Sequence, residues 1–156
     1  MKEVYSGFLA LDGSVLIGLA LGEKGFNELK NALLNETAIG LTHELAVTEL
    51  LYIICRKSSM EKALEKFNYL KLSSYINIVS INELIESAAE LKCSRALALA
   101  DCFTLALARK YSGRALFAKA EDELLREIKR EAFDVDIIFV LDSKIVKRGE
   151  RRLVDL

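Results

Sequence analysis

The chain has 156 residues, 52% of them apolar and 29% charged, which describes one globular domain with its own core and excludes a disordered chain. Its 22 basic and 23 acidic side chains leave a formal net charge of −1, so any nucleic-acid contact must come from a local patch. No apolar run reaches the length of a membrane span, and the start, MKEVYSG, lacks the basic-then-apolar layout of a secretory signal.

The first element organises the rest. Phe8 to Leu11 is an apolar run that ends abruptly at Asp12. Gly13 and Ser14 follow, then a second apolar run, Val15 to Leu21. A short apolar run closed by a turn signal predicts a buried strand, and Ser14 is the expected cap of a helix over 14–21. Asp12 then falls at the carboxyl end of a central strand, where open α/β sheets bind their ligands. A carboxylate there is costly unless something pairs it, and a metal ion is one such partner.

Phe26, Leu29, Leu33 and Leu34 are spaced for a second helix over 24–35, and 37–41 is a short extended piece. A third helix is expected over 43–57, with Glu44 early and Arg56 and Lys57 late, as a helix dipole favours. Ser58 and Ser59 open a fourth, with Met60, Leu64, Phe67 and Leu70 on one stripe. YINIVSI, 75–81, reads as the second sheet strand, and Asn82 caps a fifth helix through Leu91. A sixth helix over 100–111 stops near Gly113. A strand over 114–118, an amphipathic helix over 121–131 and a strand over 135–141 complete the core. Strands alternating with helices predict a parallel sheet with helices on both faces. The chain is thus expected to be a single domain, 1–156, with a core over about 8–141. The tail, 142–156, is rich in Lys and Arg, and reads as a solvated basic arm in preference to a final strand. Cys55, Cys93 and Cys102 are odd in number and form no CxxC pair, which reads as buried thiols in a reducing cytoplasm and not as a disulfide frame or zinc site.

Beside Asp12, further acidic positions stand out. Glu49 has Leu45, Ala46, Tyr52 and Ile53 as its helical neighbours, so it points along the core. Asp101 has Leu97, Ala98, Thr104 and Leu105. Glu121 and Asp122 lie just past a strand and open a helix. An unpaired buried carboxylate costs several kcal/mol or takes up a proton. The economical explanation is a shared acidic pocket neutralised by Mg²⁺, which takes oxygen ligands. Two such ions can activate a water and stabilise a leaving oxygen in phosphodiester cleavage. Each position also has a plainer role. Asp101 fits a helix N-cap, Glu121 and Asp122 fit dipole-favoured first-turn acids, and Glu49 fits an ion pair with Arg95. His43, the one histidine, fits a cap or core role and supports no triad. Ser14, Thr48 and Thr104 lie within a turn of the acids, either orienting them or satisfying local backbone.

LDGSVLI with Asp12, TELLYIICR with Glu49, LADCFTLALARKYSGRALFA with Asp101 and KAEDEL with Glu121 together resemble the PIN-domain family. Within it they resemble the VapC-like toxins of toxin–antitoxin pairs. The resemblance spans about 8 to 141. It implies a three-layer α/β/α fold around a mostly parallel sheet of four to five strands, and a metal-dependent endoribonuclease. It implies Asp12, Glu49 and Asp101 as catalytic metal ligands for one or two Mg²⁺ or Mn²⁺ ions. Glu121 stands where the family usually has Asp, with Lys119 in the place of a Thr, and Asp122 is its rival. Ser14 matches a small hydroxyl residue two places after the first acid. A homodimer, a small antitoxin partner and an RNA substrate are further implications. Arg95, Arg109, Lys110, Arg114 and Lys119 are candidate phosphate contacts, solvated helix ends being their plainer role. The alternatives are an RNA-processing PIN nuclease without antitoxin and a catalytically weak PIN-like binding or assembly module. An aspartyl phosphatase is disfavoured because Ser14 occupies the third place of its usual D-x-D.

Overall fold

β1 (Gly7–Leu11) is covered on both sides because its side chains alternate between two apolar layers: Leu9 and Leu11 enter one, Ala10 the other. The computed structural model describes residues 4–73 and 76–156. Among these it sets β1 within a seven-stranded sheet of order β3-β2-β1-β4-β5-β6-β7. The partners are β2 (Ala38–Thr42), β3 (Ile76–Ile78), β4 (Arg114–Phe117), β5 (Ile137–Phe139), β6 (Lys144–Val146) and β7 (Val154–Asp155). β1 pairs in parallel with β2 and β4, β2 with β3 and β4 with β5, whereas β6 pairs antiparallel with β5 and β7 with β6. β4 and β5 repeat the alternation, with Leu116 and Ile138 on one face and Ala115, Phe117, Ile137 and Phe139 on the other. Strands buried on both faces read as continuous apolar runs, which is why they were visible in the sequence.

One layer holds α1 (Gly13–Ala20), α2 (Asn27–Leu34), α3 (Glu44–Lys57) and α4 (Met60–Leu72). The other holds α5 (Ile85–Ser94), α6 (Leu99–Lys110) and α7 (Asp122–Arg130). The predicted three-layer α/β/α architecture is therefore present. The predicted second helix begins as a 3-10 turn, Lys24–Phe26, and becomes α-helical at Asn27. The predicted strand over 75–81 stops at Ile78, because the Ser80 hydroxyl accepts from the Asn82 amide and starts a 3-10 turn at Ile81–Glu83. Tyr75 lies outside the described residues. Of the three thiols expected to be buried, Cys102 is, but Cys55 is half-buried and Cys93 is exposed. No described helix is long and apolar enough to cross a membrane.

The tail corrects the expectation of a solvated arm, and with it the strand number of four to five. Lys144–Val146 pairs with Ile137–Phe139, and Val146 is buried. Lys144 forms an ion pair with Asp155 across β6 and β7. Two short strands thus cover an edge of β5 that would otherwise present unpaired backbone groups. The charges that suggested a free arm lie largely in the connecting turn.

β1 and β4 are adjacent, yet the chain leaves them for opposite sides of the sheet. Their carboxyl ends form a topological switch point, the usual place for a ligand crevice in such sheets.

Candidate active site

Asp12 follows β1 at that switch point and is 6% exposed. It, and not Ser14, is the N-cap of α1, its Oδ2 accepting from the Ser14 amide at 3.1 Å. The Ser14 hydroxyl donates to the same Oδ2 at 2.7 Å and accepts from the Ala118 amide at 3.1 Å. Ser14 therefore ties Asp12 to the end of β4 and occupies one carboxylate oxygen. The other, Oδ1, is buried without a partner among the described residues.

Helices that follow parallel strands start at the carboxyl edge of the sheet. α3 begins there, which puts Glu49 in its second turn beside Asp12. The approach is close because residue 13 is glycine: a Cβ on Gly13 would stand 2.9 Å from the Glu49 Cβ and 3.1 Å from the Ala46 carbonyl oxygen. Glu49 Oε1 is also buried and unpartnered. α6, in the opposite layer, runs from the same edge and carries Asp101 in its first turn. Asp101 is not the N-cap; Ala98 holds that position. Glu121 is the N-cap residue of α7, but its side chain makes no capping hydrogen bond.

Asp12, Ser14, Glu49, Asp101, Lys119 and Glu121 line one cavity of about 320 Å³, walled by Phe117, Ala118 and Leu124. Asp122 is exposed and outside that lining, so the cavity favours Glu121 over its rival. The electrostatics follow from crowding. Burial pushes the Glu49 carboxyl up to about 7, with the Asp12 charge adding to it. Burial also raises Asp101 to about 7, helped by Asp12, Glu49, Glu123 and Glu121. Asp12 is raised by burial against the opposing hydrogen bonds from Ser14 and Gly13. Glu123, unremarked in the sequence, thus belongs to the same field.

Two buried carboxylate oxygens without donors, in a cavity lined by four acids, suit a hard divalent cation. Among the described residues, no three His, Cys, Asp or Glu side chains are already closed around one point. The four acids therefore share a cavity without forming a closed ligand set.

The other predicted residues separate. Thr48 is exposed, and its hydroxyl donates to the Glu44 carbonyl of its own helix. Thr104 is buried and contacts His43, not the acids. Arg95 does not pair with Glu49. Its guanidinium donates to the carbonyls of Glu127, Glu131 and Ala132, lies 3.8 Å from the Glu127 carboxylate and stacks 3.7 Å from the Phe133 ring centre. Arg109 binds Asp134, Lys110 lies by Glu83 and Arg114 by Asp136. Because α6 ends and β4 begins at the amino edge, these last three face away from the acids. Lys119 alone of the predicted phosphate contacts lines the acidic cavity.

Sequence reasoning missed Gly13 as the point of close approach, for which glycine directly after an acid at a helix start is the signal. It also missed Asp142, whose carboxylate accepts from the Ala120 amide at 2.8 Å and steadies the loop before Glu121. An acid just past an apolar strand was the available sign.

The class is that of α/β folds with an acidic cavity at the switch point, two of its carboxylate oxygens here buried and without a partner among the described residues. The PIN domain model matches residues 9–131, and the chain belongs to the PIN-domain family. Among solved structures it is similar to VapC20 of Mycobacterium tuberculosis, described as a sarcin-ricin loop cleaving toxin. That likeness has 19% identity and a TM-score of 0.54, and covers 70% of this chain and 87% of that one. It is also similar to VapBC2 of Rickettsia felis, solved on a promoter DNA fragment, with 12% identity and a TM-score of 0.57 over 72% and 87% of the two chains. At these identities the likeness is one of fold. No curated protein matches the chain.

Proposed function

We propose that this chain is a divalent-cation-dependent endoribonuclease that acts as the toxin of a toxin–antitoxin pair. The observation that carries the reading is the pair of buried, unpartnered oxygens, Asp12 Oδ1 and Glu49 Oε1, in one cavity with Asp101 and Glu121. Family membership and the VapC-type structural neighbours support it.

Asp12, Glu49 and Asp101 would hold the ion, with Glu121 at the open side. A bound Mg²⁺ or Mn²⁺ supplies the charge that activates water and stabilises a leaving oxygen. Ser14 fixes the Asp12 carboxylate by occupying Oδ2, which leaves Oδ1 as its free acceptor among the described residues. Phe117 and Leu124 supply apolar, buried wall to the same cavity. Lys119, exposed at the mouth, is placed to meet a backbone phosphate. An antitoxin segment that fills this cavity, a homodimeric state and a cytoplasmic location belong to the same reading.

The test is cleavage of a structured RNA by the purified protein with Mg²⁺, with chelator, and with Asp12→Asn or Asp101→Asn. The reading expects cleavage only by wild type with metal. Unchanged cleavage by both variants would sink it. Metal binding without cleavage of any RNA would favour the binding-module alternative.

A further inference from the structure

The chain's single histidine is fully buried at a junction the nuclease reading leaves unexplained. His43 is the N-cap of α3, its Nδ1 accepting from the Ala46 amide at 3.2 Å. With Nδ1 an acceptor, the ring proton sits on Nε2, which donates to the Thr104 hydroxyl at 2.9 Å. Thr104 in turn donates to the Ala100 carbonyl at 3.2 Å. The chain of donors runs one way, and every polar atom in it is satisfied.

Its two ends are what matter. Ala100 precedes Asp101. Ala46 lies one turn before Glu49, and its carbonyl oxygen is the atom that crowds Gly13, next to Asp12. α3 and α6 belong to opposite layers, so the sheet does not space them where they meet beyond its edge. Ser, Thr, Asp or Asn would cap α3 equally well, but none has a second nitrogen on the far side to reach α6. Burial holds the imidazole down at about 4, so it stays neutral and the donor direction is preserved at neutral pH.

We propose that the bridge between His43 and Thr104 is a positioning device for the acidic pocket, setting the spacing of α3 and α6 and hence of Glu49 and Asp101. The inference rests on the nuclease reading and deepens it.

The test is Mn²⁺ affinity by calorimetry, with thermal melting and steady-state RNA cleavage, on wild type and four variants. These are His43→Asn, Thr104→Val, their combination, and Thr104→Ser. Asparagine keeps the cap but loses the reach; serine keeps the hydroxyl. The proposal expects His43→Asn and Thr104→Val each to weaken Mn²⁺ binding about 10-fold, the low end of what losing a direct partner of a metal ligand costs, since the bridge acts through the helices and not on the ligands themselves. It expects kcat to fall with KM for RNA nearly constant, the combination to be no worse than either single change, and Thr104→Ser to keep wild-type values. Wild-type Mn²⁺ affinity in both single variants, whatever their melting temperatures, overturns the proposal and leaves the nuclease reading standing. No Mn²⁺ binding by wild type overturns both. If His43→Asn does not fold, the contrast of Thr104→Val with Thr104→Ser decides alone.

Discussion

Two regions of this molecule bury charge, and they do so in opposite ways. Around Glu127 the chain supplies its own counterions: Arg95 lies 3.8 Å from the carboxylate, and Arg130 donates to it at 2.7 Å. The hydrogen bond from Arg130 holds the Glu127 carboxyl below its usual range. Around Asp12 the chain supplies more acids. Three carboxyls there are pushed up, and two oxygens lack any donor. A closed cluster of charges is a structural tie between α5, α7 and the segment after it. An open one is what the proposed reading assigns to a cation. Burial alone does not distinguish them; the identity of the neighbours does.

The comparison breaks most sharply on activity. Asp12→Asn keeps a capping oxygen for α1 and removes the charge. RNA cleavage should fall by more than about 100-fold, beyond the usual loss for groups behind a ligand. Metal-free stability should hold or rise, because a buried charge is relieved. A melting curve beside the cleavage assay checks both halves.

The closed cluster should answer in the other currency. Arg95→Met strips a buried carboxylate of one partner and three carbonyls of a donor. It should destabilise the fold by about 3 kcal/mol in urea unfolding, the usual cost of breaking a buried pair. Mn²⁺ affinity should be unchanged, since Arg95 does not line the acidic cavity.

pH separates the regions by sign. Glu49 and Asp101 titrate at about 7 in the fold and near 4 when unfolded. The folded state therefore holds protons that the unfolded chain has lost. Metal-free stability should fall as pH rises from about 4 to about 7 and level off above. Asp101→Asn should melt like wild type near pH 4 and above it at pH 8. Glu127 is depressed, so its contribution is present above its unfolded value and disappears as pH falls through its folded one. Glu127→Gln should therefore cost most at neutral pH. Matching pH profiles for the two variants would erase the distinction.

The smallest effect belongs to Thr48. Its hydroxyl bonds only its own helix, so Thr48→Ala should shift stability by no more than about 0.5 kcal/mol and leave cleavage intact.

Much of this was legible in the sequence for a physical reason. The parallel strands are buried on both faces, so they print as apolar runs, and the acids at their ends break those runs visibly. Asp12, Glu49 and Asp101 were conspicuous because each sits where apolar residues surround it. What stayed hidden depends on distance across the fold. The β6 and β7 strands are too short and too charged to read as sheet until β5 is seen to need an edge partner. Gly13 looks like a turn residue until α3 is found against it. Neither role offered for Arg95, a phosphate contact or a partner for Glu49, is the one it has, because sequence spacing cannot say that α5 ends beside α7 and not beside α3. The histidine was legible as a cap, but its second bond, across 61 residues, was not.

The most direct measurement is the proton count on metal binding. Mg²⁺ is titrated into wild type and Asp12→Asn by calorimetry at pH 6.5, in buffers of differing ionisation enthalpy. The account predicts that wild type binds and releases protons, as carboxyls held up near neutrality surrender them to the cation. Asp12→Asn should bind far more weakly or not at all. No heat from wild type, or binding without proton release that Asp12→Asn reproduces, would contradict the claim that this pocket is built open for a cation.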